Sequence, residues 1–167
     1  MSGLAFLSAQ DFKIIEGQKG PIMCTDIQDI SLILFYSTNC HFCAELLPIF
    51  KTLPGTLSGC QFGMINVSKN KDIVRMAKTT IAPITYVPMC ILYYAGRPYM
   101  RYEGPNRLAD IQEFIVEVAK SIQSKKTFEK GAQSTKHREI PAYTIGKPKI
   151  GERDDVFYLE YDQAYQS

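Results

Sequence analysis

The sequence predicts one α/β domain with a C-terminal extension, and three observations carry that prediction. Short apolar runs alternate with stripes of helical spacing, a C-x-x-C pair (Cys40 and Cys43) stands where one run gives way to a helix, and a tight turn joins two later runs ahead of a last helix. Taken in order, residues 31–37 and 62–67 are apolar runs bounded by turn residues, as expected of strands buried on both faces. Between them, Cys43, Leu46, Leu47, Phe50 and Leu53 fall on one helical face, with Pro48 inside the pattern as an expected kink. Residues 70–78 read as a shorter helix packing through Ile73, Val74 and Ala77, so the order is that of a βαβ unit with parallel strands.

The second half changes character. Residues 89–94 and 99–103 read as two strands of a hairpin turning at Ala95-Gly96-Arg97-Pro98. Leu108, Ile111, Phe114, Ile115, Val118 and Ile122 then form a helical stripe ending near Gln123, with Asn106 as the expected N-cap. Upstream, residues 11–16 read as an edge strand followed by a loop at 17–21; the stretch from there to Ile30 carries no assignable pattern.

At 167 residues and 46% hydrophobic composition, the chain can bury one sizeable core. Its apolar runs fall far short of the roughly 18 residues a membrane helix needs. The first ten residues lack the basic region and apolar length of a signal peptide, so a cytoplasmic location is expected. A net charge of +2 favours neither nucleic acid nor a membrane surface as partner.

The expected boundary divides a domain at 1–123 from an extension at 124–167. Within the extension, residues 125–153 hold eight Lys or Arg against three acids. Beyond them only acids are charged, and Asp154, Asp155, Glu160 and Asp162 sit among Val156, Phe157, Tyr158, Leu159, Tyr161 and Tyr165. A basic linker leading to an acidic, aromatic segment folded back on the body is the plain reading. Such a segment can also pair with an exposed sheet edge, on its own domain or on a second copy, and so give a homodimer.

The C-x-x-C pair carries the chemistry. In a reducing compartment its spacing points to redox or metal chemistry rather than to a structural disulfide. A strand ending before Cys40 and a helix starting at it aim backbone N–H groups and the positive helix end at that sulfur, so Cys40 should ionise below a free thiol. Protonated His41 would add a charge one residue away. A metal site would recruit ligands from Cys24, Cys60, Cys90, His41 or His137, yet zinc sites usually show a second close ligand pair and the sequence has none. Cys24, Cys60 and Cys90 read instead as small buried hydrophobes.

The order strand, C-x-x-C helix, strand, helix, hairpin, helix resembles the thioredoxin fold over roughly residues 10–122. Pro48 lies five residues past Cys43, where that family carries its helix-kinking proline; Val87-Pro88 opens the hairpin; Gly96 and Gly104 stand at glycine positions of the family. The resemblance implies a central mixed sheet flanked by helices, Cys40 as nucleophile, Cys43 as resolving thiol, a cis Pro88 against the dithiol, and Val87 offering its backbone to an extended substrate. It implies disulfide exchange with protein substrates, no bound cofactor, and a partner that recycles the dithiol. His41 and Phe42 stand between the cysteines, where residues tune redox potential, and a histidine there implies a pair more oxidising than in typical thioredoxins. Leu34 replaces the acid that thioredoxins bury beside the second cysteine, so fast turnover needs Glu45, Asp26 or water to move its proton; the alternative reading is a binding module of the same fold, with the tail or hairpin as its interface, which the intact dithiol opposes. Segments 140–148 and 158–165 are similar to tails of thioredoxin-like proteins of large double-stranded DNA viruses, which would place the chain in host cytoplasm or the virion.

Overall fold

The computed structural model describes residues 4–17, 19–128, 142–143 and 157–158. Among these residues ten strands and three α-helices run in the order β1 (Leu4–Leu7), β2 (Phe12–Gly17), β3 (Gly20–Thr25), β4 (Ile30–Tyr36), α1 (His41–Lys51), β5 (Cys60–Asn66), α2 (Lys71–Lys78), β6 (Tyr86–Val87), β7 (Met89–Tyr94), β8 (Arg97–Tyr102), α3 (Leu108–Phe128), β9 (Ala142–Tyr143) and β10 (Phe157–Tyr158). Six strands form one sheet in the order β1-β5-β4-β7-β8-β9. β4 is parallel to β5 and antiparallel to β7, so the sheet is mixed.

The centre of the sheet follows from composition. Leu32, Ile33, Leu34 and Phe35 are all fully buried, because β4 lies between β5 and β7 and has packing on both faces. Alternation then divides the core. Ile33 and Phe35 join Phe12, Met23, Val74, Ala77 and Tyr93, whereas Leu32 and Leu34 join Leu46, Phe50, Phe62, Phe114 and Val118 from α1, β5 and α3. Phe50 meets Phe62 edge to face at 6.0 Å, a geometry that adds about 0.5–1.5 kcal/mol beyond the burial itself. The helical stripes read from sequence are therefore the faces that close the core over the site-bearing strand.

The structure departs from the sequence reading at the edges. β1 pairs in parallel with β5 although no strand is legible there, since four residues with Phe6 exposed give too short a pattern. The expected loop at 17–21 is narrower: β3 starts at Gly20, and Pro21 lies opposite Glu16 in a β2–β3 hairpin. The unassigned stretch begins with four buried residues, Ile22 to Thr25, which form the rest of β3. The β7–β8 turn is the two residues Ala95 and Gly96, both at positive φ (53° and 84°), with Pro98 already inside β8. Gly96 cannot carry a Cβ there, because that atom would meet the Thr25 carbonyl.

Two helix boundaries are corrected. Ile111 N–H bonds the Arg107 carbonyl (3.0 Å), and α3 begins at Leu108, so Arg107 and not Asn106 stands at its N-terminal boundary. A preceding turn, Arg107 N–H to the Pro105 carbonyl at 2.9 Å, places Asn106 outside the helix. At the other end α3 continues to Phe128, past the expected stop near Gln123, because the intervening residues include no glycine or proline to end it. Among the described residues, no helix is long and apolar enough to cross a membrane.

Candidate active site

The site forms where β4 ends and α1 begins. Cys40 is the N-cap residue of α1, with extended backbone (φ −103°, ψ 114°), and its sulfur accepts the Cys43 N–H at 3.1 Å. A helix start leaves N–H groups without intrahelical partners, and a sulfur at the N-cap is positioned to take them. The consequence is electrostatic. The Cys43 thiol, together with the backbone N–H groups of Cys43 and Phe42, holds the Cys40 pKa below the ordinary thiol value, against the opposing effect of burial.

Cys43 behaves in the opposite way. It is fully buried, and its hydrogen bond to Cys40 together with desolvation pushes its pKa strongly upward. One thiol of the pair is poised to ionise and the other to keep its proton, the asymmetry a nucleophile and a resolving thiol require.

Val87-Pro88 completes the site. The peptide bond between them is cis, and the Val87 carbonyl accepts from the Cys40 thiol at 3.7 Å, so β6 lies directly against the nucleophile. The expected position of these two residues beside the dithiol is thus what the structure gives. Cys40 itself is only 2% exposed.

His41 points outward. Its side chain is 78% exposed and lies 3.4 Å from Glu45 one turn on, with its ring edge-on to Phe42 at 5.5 Å. Any charge it lends to Cys40 is opposed by the Glu45 carboxylate, and Phe42 forms a half-buried rim. Neither proposed substitute for the missing acid reaches Cys43: Glu45 is held in solvent by His41, and Asp26 is 91% exposed beside Lys13. Leu34 is fully buried, with Cys90 as its cross-strand partner.

Cys24, Cys60 and Cys90 are buried thiols outside any disulfide, and burial pushes Cys60 up to about 12. Among the described residues, no three or more His, Cys, Asp or Glu side chains assemble as metal ligands. His137 lies outside the described residues. Sequence reasoning missed a cluster behind β6, in which the Tyr86 hydroxyl and Arg101 Nε both donate to Glu103 Oε2 (3.2 and 2.8 Å). The spacing Arg101-x-Glu103, at the end of β8 and just beyond it, is its only local signal; Tyr86 joins through tertiary packing.

This fold and dithiol agree with the comparisons. Residues 23–117 match the Thioredoxin family model. The chain is 36% identical over 135 residues to uncharacterized protein 196R of Invertebrate iridescent virus 6, covering 81% of this chain and 74% of that one. It is 31% identical over 167 residues to uncharacterized protein 020R of Invertebrate iridescent virus 3, covering 98% and 96%. Among solved structures, human ERp44 form I superposes with a TM-score of 0.52 at 18% identity, over 70% of this chain and 29% of that one. The chain spans less than a third of ERp44, and that likeness concerns the fold alone. The protein belongs to the thioredoxin family and has relatives in iridescent viruses.

Proposed function

We propose that the chain is a thiol-disulfide oxidoreductase acting on protein substrates through Cys40 and Cys43. The observation that carries this is the opposed pair of thiols at the start of α1: Cys40 stabilised as thiolate by the helix N-terminus and by Cys43, and Cys43 buried and protonated. In the reductive direction the Cys40 thiolate attacks one substrate sulfur, the substrate S–S bond breaks, and the other sulfur leaves as thiolate. Cys43 then gives up its proton and attacks Cys40 Sγ, which releases the second substrate thiol and leaves a Cys40–Cys43 disulfide. Two electrons pass to the substrate, and a recycling partner must return them. Oxidation of a substrate dithiol is the same sequence reversed.

Stabilising the Cys40 thiolate favours the reduced form and so makes the pair more oxidising than in typical thioredoxins. The Cys43 thiol supplies the largest part of that stabilisation and the N–H groups of Cys43 and Phe42 at the helix start add to it; a protonated His41, 3.4 Å from Glu45, would push the same way. With Leu34 in place of an acid, the Cys43 proton leaves to the departing substrate thiolate or to water, which slows the second step. Val87 and Pro88 position an extended substrate segment, and Phe42 borders it. No cofactor enters these steps, and the site of action is the cytoplasm, with the host cytoplasm or the virion as the place for a viral protein.

The alternative is a thioredoxin-fold binding module, favoured by Leu34 and by the enclosure of Cys40. Turnover separates the two. Reduced protein is expected to reduce insulin disulfides, and oxidised protein to oxidise a reduced, unfolded dithiol substrate, each above the glutathione background. Absence of both, with Cys40 free to react with an alkylating agent, favours the module.

A further inference from the structure

β6 is a two-residue strand outside the six-stranded sheet, and it is occupied. β10 pairs with it antiparallel, with Phe157 opposite Val87 and Tyr158 opposite Tyr86. Because the Val87 carbonyl accepts from the Cys40 thiol, the strand on β6 runs past the nucleophile, and Cys40 is 2% exposed in this arrangement. The extension has a second anchor. β9 lies parallel on the edge of β8, with Ala142 opposite Arg101 and Tyr143 opposite Tyr102. Arg101 and Tyr86 share Glu103, so each of the two short strands pairs opposite a member of one hydrogen-bonded cluster.

Composition adds the decisive point. The chain has five cysteines, the last of them Cys90, so residues 124–167 contain none. A strand lying at the dithiol without a sulfur can bind and cannot be exchanged. An unpaired strand edge is a template for an extended peptide, and backbone pairing gives affinity with little demand on sequence.

We infer that Phe157–Tyr158 is an internal, unreactive ligand of the substrate edge at Tyr86–Val87, so that a substrate gains Cys40 by displacing it. The inference rests on the proposed function and names its substrate class: an extended polypeptide segment that pairs antiparallel along β6, with an aromatic residue favoured opposite Val87. Acids at Asp154, Asp155, Glu160 and Asp162 flank the internal ligand in sequence, which makes an acidic, aromatic peptide the best mimic.

The test uses the full chain with Phe157→Pro and Tyr158→Pro together, since proline removes the backbone N–H needed for pairing. Cys40 alkylation by iodoacetamide is followed by mass spectrometry, and insulin turnover is measured in parallel. Loss of this pairing is expected to raise the alkylation rate about tenfold, the ratio that one or two net backbone hydrogen bonds sustain. A synthetic peptide of residues 152–162, added to the variant, is expected to slow alkylation again. Equal rates in variant and wild type, or no effect of the peptide, overturn the inference. So does a wild-type rate that rises on dilution, because the strand would then come from a second copy. Faster alkylation with no insulin turnover in either protein removes the proposed function and leaves the docking intact; equal alkylation with turnover in both does the reverse.

Discussion

Cys40→Ser is expected to reduce disulfide exchange to the uncatalysed background, while Cys43→Ser stops after the first step and accumulates a mixed disulfide with substrate. The two outcomes differ because the two thiols stand differently in the site. Cys40 alone takes the Cys43 N–H at the helix start and has a depressed pKa, so a hydroxyl in its place offers no nucleophile of comparable ionisation. Cys43 is fully buried with its pKa pushed up, so in the proposed mechanism it enters only after Cys40 has bonded to substrate. Non-reducing electrophoresis of each variant after incubation with an oxidised protein substrate reads the result. A stable adduct with Cys40→Ser and none with Cys43→Ser would exchange the two roles.

Leu34→Asp is expected to cost about 3 kcal/mol or more of stability and, in return, to speed the second chemical step. Leu34 is fully buried among Leu46, Phe50 and Met64, with Cys90 across the strand pair, so an acid there loses packing and must stay protonated or find a partner. On a chain of this size that cost lowers Tm by roughly 6–12 °C. Cys90, which adds to the upward push on Cys43, lies opposite position 34, so an acid there is expected to accept the Cys43 proton. Leu34→Asn should lose similar stability without the gain in rate. Thermal denaturation and single-turnover kinetics of the two variants separate packing from proton transfer; equal rates for both would show that proton removal from Cys43 does not limit exchange.

The legible parts of this protein are those whose signals are local. Cys40 and Cys43 are three residues apart at a strand-to-helix junction, so their pairing follows from the helix start, while their different ionisation also needs the contact between the two thiols and the burial of Cys43. The run Leu32 to Phe35 marks the central strand, and Leu46, Phe50, Phe114 and Val118 mark the helical faces, because burial demands continuous apolar surface. Val87 and Pro88 needed the family resemblance, since nothing local to them marks a contact with Cys40, 47 residues away. Edge elements escaped for a physical reason. β1, β6, β9 and β10 are two to four residues long, and their hydrogen bonds to other segments, rather than any periodicity, define them. Asn106 carries the right chemistry for an N-cap, yet the Pro105–Arg107 turn decides where the helix can begin. The outward turn of His41 toward Glu45 is an i,i+4 contact that the sequence permits without selecting it over a position above Cys40.

The central claim is a redox-active Cys40–Cys43 pair poised toward oxidation. It is tested most directly by titrating the wild-type protein in glutathione buffers, read by the mass shift of trapped thiols. A two-electron midpoint between about −200 and −120 mV is predicted, moving to more negative values in His41→Ala by less than the separation from thioredoxin at about −270 mV. A midpoint at the thioredoxin value would contradict the oxidising character, and a pair that never forms a disulfide across the titration would contradict the claim as a whole.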